Sequence, residues 1–298
     1  MNKGAALKKS KPSLLSSIEN YYLGFSDSFD FAQNDIYKNI APFKRTALLV
    51  FVCFVLNTFL QGEGRTIQFS GYNWKVKSSR HPMNPGNNYF SDSPENVWVD
   101  SLGRLHLAII KKGDKWLCSE VICQEKISYG TYRFFVNAQI DSLDENVILG
   151  LFSYDSENTE HHNEIDIEIA RWGEKAAPNV QYVVQPYQDP GNRKNFDVQL
   201  NGVYSTHGFI WNPGHIFFHS YYGHHNYPPA KDHIISVWNY ERSFIPNPDQ
   251  ARIHINLYLL HGQAPVNGKP VEIIINNFSY KENKIERPLQ NQGKQSEN

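Results

Sequence analysis

The chain has 298 residues, a formal net charge of −1, and 40% hydrophobic, 14% aromatic and 20% charged residues. This composition excludes wholesale disorder, and the length permits one large folded unit with a sizeable core. The near-neutral charge excludes nucleic acid as the main partner, because phosphate binding needs a basic surface.

Residues 1–60 carry seven Lys and Arg against four Asp and Glu. Lys44 and Arg45 precede a stretch, Thr46 to Gly62, without charge, in which Ala47–Leu60 is almost wholly apolar. About 14 apolar residues match the core of a signal peptide and fall short of the roughly 20 of a spanning helix. The pattern predicts a leader over 1–62 with a signal or anchor segment at 46–62. Its basic flank stays in the cytoplasm and the remainder is exported, touching a membrane only through that segment. An uncleaved anchor and a translation start further downstream both account for the long approach.

From residue 66 short β runs alternate with turn residues. Strands are expected at 97–100, 104–111, 116–124, 130–138, 147–153, 163–170, 179–186, 206–211, 215–221, 252–260 and 271–280. With no alternating helices, this is an all-β antiparallel sandwich, not a βαβ fold. The folded domain is expected over 66–282, with a polar tail at 283–298. The stretches 71–95, 154–162, 186–205 and 222–251 read as long loops of the kind that carry binding sites. Cys118 and Cys123 lie in one strand, about 16 Å apart when extended, too far to bridge.

One segment carries chemistry: His161–His162–Asn163–Glu164–Ile165–Asp166–Ile167–Glu168–Ile169–Ala170–Arg171–Trp172. Acids and isoleucines alternate with period two, so Ile165, Ile167 and Ile169 face the core and Glu164, Asp166 and Glu168 share the other face. Three acids in a row repel one another, so an ordinary solvated strand would avoid them. The arrangement suits a retaining glycosidase, in which one carboxylate attacks the anomeric carbon and a second acts as acid and then base. Glu164 and Glu168 are about 13 Å apart at Cα; their side chains can lean toward the roughly 5 Å that retention requires. An acidic, solvated or calcium-binding strand is the other reading of the same spacing.

Glu164–Ile165–Asp166–Ile167–Glu168 followed by an apolar residue resembles the active-site strand of glycoside hydrolase family 16, with its lichenases, laminarinases and xyloglucan-modifying enzymes. Ser128–Phe134, Gly208–Ile216 and Ile253–Tyr258 resemble supporting strands of that family, so the likeness spans about 66–282. It implies a concanavalin A-like β-jelly-roll and retaining cleavage of a β-linked, β-glucan-like polysaccharide by double displacement. Glu164 is then the nucleophile, Asp166 its helper and Glu168 the acid/base. A transglycosylase, or a catalytically silent carbohydrate-binding sandwich, would use the same strand. The likeness implies no cofactor for the chemistry and leaves room for a structural calcium whose ligands the sequence does not identify.

His162 stands where the lichenase-like branch has a Trp, and parity with Glu164 points it into the cleft. Trp172 has the parity of the carboxylates if the strand continues, and is expected as a sugar platform. His254, Asn256 and Tyr258 share one strand face, with Asn256 and Tyr258 as cleft candidates. Gln185, Tyr89 and Arg80 complete the expected substrate-binding set, and Trp211 reads as core. Adjacent histidines on a strand point to opposite faces, and no His or Cys spacing matches a zinc site.

Overall fold

The computed structural model describes residues 64–126 and 128–283. The expected leader, its apolar segment and nearly all of the polar tail lie outside the described residues.

Sixteen strands run in chain order: β1 Thr66–Phe69, β2 Tyr72–Val76, β3 Tyr89–Phe90, β4 Val97–Val99, β5 Leu105–Lys112, β6 Lys115–Cys123, β7 Gly130–Asn137, β8 Val147–Tyr154, β9 Ile165–Ile169, β10 Val180–Val184, β11 Arg193–Phe196, β12 Tyr204–Asn212, β13 His215–Tyr222, β14 Ile234–Tyr240, β15 Arg252–Leu259 and β16 Val271–Glu282. Among the described residues, helix is confined to short 3₁₀ turns, and none is long and apolar enough to cross a membrane.

The strands form two packed sheets. One runs β11-β10-β9-β8-β15-β6 and continues through β2 to β1. The other runs β14-β13-β12-β7-β16-β5 and ends on β4. The β5–β6 hairpin passes from one sheet to the other, with Ile110 opposite Leu117 and Lys112 opposite Lys115. All pairs are antiparallel except β3 with β6. This is the antiparallel sandwich that the strand pattern predicts, in the jelly-roll form that the family resemblance implies.

The period-two alternation fills the space between the sheets. Ile165, Ile167 and Ile169 of β9 are fully buried, and so are Tyr132, Phe134, Phe209, Trp211 and Phe218 opposite. Burying each such side chain contributes about 1.5–3 kcal/mol. The Tyr182 ring stacks on Phe218 with centroids 4.9 Å apart, and its hydroxyl donates to Ser220 Oγ at 2.7 Å. This gives the polar end of a buried aromatic its required partner. Cys118 and Cys123 are both buried free thiols.

Three stretches expected as loops contain strands. Residues 71–95 hold β2 and β3, 186–205 hold β11, and 222–251 hold β14. β11 reads Arg-Lys-Asn-Phe and has no apolar period. It is held by backbone pairing to β10, with Lys194 Nζ donating to Val237 O of β14 at 2.6 Å. In β2 only Trp74 and Val76 are buried, and the Asn, Pro and Gly that follow mask the alternation.

Candidate active site

β9 lies third from the β11 end of its sheet, between β10 and β8. Its isoleucines turn inward, so Asp166 and Glu168 must face the opposite side of the sheet, where a cavity lies. Glu164 precedes the strand, yet Gln185 N donates to Glu164 O at 3.1 Å and carries the ladder one residue further. The three carboxyls therefore stand on one floor.

The alternation stops there. His162 and Asn163 have φ of 54° and 47°, a left-handed turn that breaks strand parity. Asn163 locks this turn: its Nδ2 donates to Asp155 Oδ2 at 3.2 Å, and its carbonyl accepts from Ser153 Oγ at 3.1 Å. The parity expectation for His162 is thereby corrected. Its ring stacks on Tyr154, centroids 4.5 Å apart, outside the cleft lining. It supports the ring that does line the cleft.

Burial raises the pKa of all three carboxyls, because a charge on this floor loses its water. Asp166 is only 3% exposed, and burial together with the charges of Glu164 and Glu168 keeps it protonated. Desolvation pushes Glu164 up to about 7, and the hydrogen bond from the Asp166 O–H partly offsets it. Gln185 Nε2 donates to Asp166 Oδ2 at 3.2 Å. Glu168 rises to about 6, mainly through desolvation, which the Gln181 amide and Arg193 partly offset. Gln181 Nε2 donates to Glu168 Oε2 at 2.6 Å.

Gln181→Ala removes the donor that favours ionised Glu168, so the pKa of Glu168 rises. If Glu168 must be protonated to react, the alkaline limb of kcat/KM moves to higher pH. Turnover falls about tenfold through lost positioning. A pH–rate profile checks both; an unmoved alkaline limb rejects this role for Gln181.

The carboxyls open onto a cavity of about 260 Å³. It runs from β9 across Gly150 and Phe152 of β8 and Asn256 and Tyr258 of β15 to Glu120 of β6. Gly150 is required here: a Cβ would lie 2.5 Å from Asn256 Oδ1, which accepts from Gly150 N at 3.1 Å. Beyond it, Glu120 is buried between Lys77 and His254. Lys77 Nζ sits 2.6 Å from Glu120 Oε2 and His254 Nδ1 2.9 Å from Oε1. These contacts lower the pKa of Glu120 even though burial opposes them.

The structure brings Glu164, Asp166, Glu168, Asn256 and Tyr258 into one cavity and places Gln185 against Asp166. Trp172 reaches an adjoining depression by a different route from the one expected. β9 ends at Ile169, and Trp172 has a left-handed φ of 54°. Tyr89 and Arg80 stand outside the cavity lining. Tyr89 pairs with Leu117 beneath Lys115, whose Nζ is 4.3 Å from the ring centre, and Arg80 is exposed. Glu120, Lys77 and Gln181 went unrecognised. A lone acid inside the apolar run of β6 was the available signal for Glu120. Among the described residues no three His, Cys, Asp or Glu side chains converge as metal ligands, so the structural calcium that the resemblance allows has no assigned residues.

No protein-family model and no curated protein matches this chain. Solved structures do. A β-glucanase of Bacillus licheniformis is 20% identical with a TM-score of 0.54, covering 75% of this chain and 100% of its own. A pseudo β-1,3-glucanase of Mycobacterium tuberculosis is 16% identical with a TM-score of 0.54, covering 70% and 91%. A β-1,3-glucanase from Mycobacterium marinum is 18% identical with a TM-score of 0.52, covering 74% and 95%. At these identities the likeness is one of fold: the described domain has the jelly-roll architecture of the β-glucanases.

Proposed function

We propose that this protein is a retaining glycoside hydrolase acting on a β-linked, β-glucan-like polysaccharide. One observation carries the reading. Three carboxyls share a desolvated floor in a cleft, with Glu164 hydrogen-bonded to Asp166 and Gln181 donating to Glu168. Paired carboxyls on one strand face are the equipment of retaining glycoside cleavage, one as nucleophile and one as acid and then base.

In this mechanism the ionised Glu164 attacks the anomeric carbon. Glu168 gives its proton to the departing glycosidic oxygen, leaving a glycosyl ester on Glu164. Glu168, now ionised, takes a proton from water, whose oxygen displaces Glu164. Asp166 steadies Glu164 through its hydrogen bond. Asn256 and Tyr258 border the position of the sugar.

The test is the stereochemistry of the first product. Proton NMR during hydrolysis of a soluble β-glucan is expected to show the β-anomer first, before mutarotation. An α-anomer first rejects double displacement. Adding an acceptor oligosaccharide separates transfer from hydrolysis.

A second reading is a carbohydrate-binding sandwich without turnover, supported by the pseudo β-1,3-glucanase among the fold neighbours. Binding of the polymer with no sugar release would establish it. Export through the 46–62 segment belongs to the same proposal, supported by the basic flank and apolar run in the sequence. Finding the protein in the cytoplasmic fraction would reject it.

A further inference from the structure

The cleft has a side opening that the proposed chemistry does not use. Tyr258 and Asn84 wall the catalytic cavity and also wall a second one, of about 380 Å³. Trp172, Asn87, Leu260 and His261 line the rest of it. Its walls are fastened. Asn88 Nδ2 donates to Pro85 O at 2.9 Å and to Leu259 O at 2.7 Å, tying the 84–88 turn to the end of β15. Gly86 allows that approach, since a Cβ there would lie 2.7 Å from Leu259 O. Gly173 N donates to Glu145 O at 2.8 Å and anchors the chain just past Trp172.

Direction identifies the occupant. The catalytic cavity crosses successive strands, from Glu168 on β9 through Gly150 and Asn256 to Glu120 and Lys77. A polysaccharide backbone lying in it runs across the sheet. The second cavity is displaced along the strands, beyond the ends of β9 and β15. It therefore lies to the side of the backbone, not ahead of it.

We infer that this side cavity receives a single-sugar branch of the polysaccharide, a neutral pyranose stacked on Trp172; the inference rests on the glycosidase reading of the cleft. An indole covers the apolar face of a sugar ring, and two amides and an imidazole serve its hydroxyls. The lining contains no Asp, Glu, Lys or Arg, which favours a neutral branch over a uronic acid or a sulfated sugar.

The test uses the full chain carrying Glu164→Gln, to stop turnover, in affinity electrophoresis. One gel contains linear mixed-linkage β-glucan. The other contains a β-glucan with single-glucose branches. The apparent Kd is expected to be about tenfold lower in the branched polymer. Adding Trp172→Ala brings the ratio of the two Kd values near one, whereas Trp172→Phe retains most of it. His261→Gly tests the same pocket from an exposed position whose φ of 51° suits glycine. A ratio of one in the parent, or a ratio that survives both Trp172→Ala and His261→Gly, overturns the inference. Sugar release by the chain with Glu164 intact is measured on the same polymers. No release with the ratio preserved rejects the hydrolase reading alone. Release from both polymers with a ratio of one rejects the branch cavity alone. No retardation in either gel rejects both.

Discussion

Glu164→Gln is expected to lower polysaccharide hydrolysis by about 10⁴-fold or more while leaving the protein folded. The amide occupies the same space and still accepts from Asp166, but it cannot form the glycosyl ester. Glu168→Gln is expected to lower hydrolysis of the polymer by about 10³-fold. The same variant should form its intermediate readily from an aryl β-glycoside, whose leaving group needs no proton. That contrast separates the two roles. Melting temperatures give the second readout. Each substitution places a neutral amide on a floor where desolvation disfavours charge, so Tm should hold or rise. Lost activity with a lowered Tm would point to a damaged fold and reject the assigned roles.

Glu120→Ala is expected to destabilise the protein by about 3–5 kcal/mol. The carboxylate is 3% exposed at its side chain and Lys77 is 17% exposed, so removing the acid strands a cation in a poorly hydrated place. Lys77→Met combined with Glu120→Leu should recover most of that loss, because the pair is replaced by apolar groups of similar volume. Chemical denaturation of the three proteins checks this. A double variant no more stable than Glu120→Ala would mean that the pair is not coupled. The pH dependence has a definite sign. The pKa of Glu120 is lowered in the folded state, so its contribution is present above the ordinary glutamate value and is lost as pH falls through the folded one.

The sandwich was legible from the residues because the strands on which its core depends alternate strongly. Ile165, Ile167 and Ile169 announce both a strand and the face it buries, and this places Asp166 and Glu168 without any tertiary information. The limits of that reasoning are local and physical. Parity holds only while the backbone stays extended, and it fails at His162 and Trp172, where φ turns positive. β11 escaped notice because its register comes from backbone hydrogen bonds, not from apolar side chains. The Glu120 cluster was unreadable for another reason. Its partners lie 43 and 134 residues away in the chain, and only the closed sheet brings them together.

The order of strands also constrains how the molecule comes into being. β15 sits between β8 and β6, and β16 between β5 and β7, so the last two strands in the chain are interior members of the two sheets. A growing polypeptide that has reached residue 250 has every carboxyl of the cleft but neither of the strands that join the two halves of each sheet. Its unpaired edges stay open until synthesis is nearly finished, and the contacts that close them span about a hundred residues or more. Ribosome-bound fragments ending before Arg252 are therefore expected to be protease-sensitive, with protection arriving in a single late step once β16 has emerged.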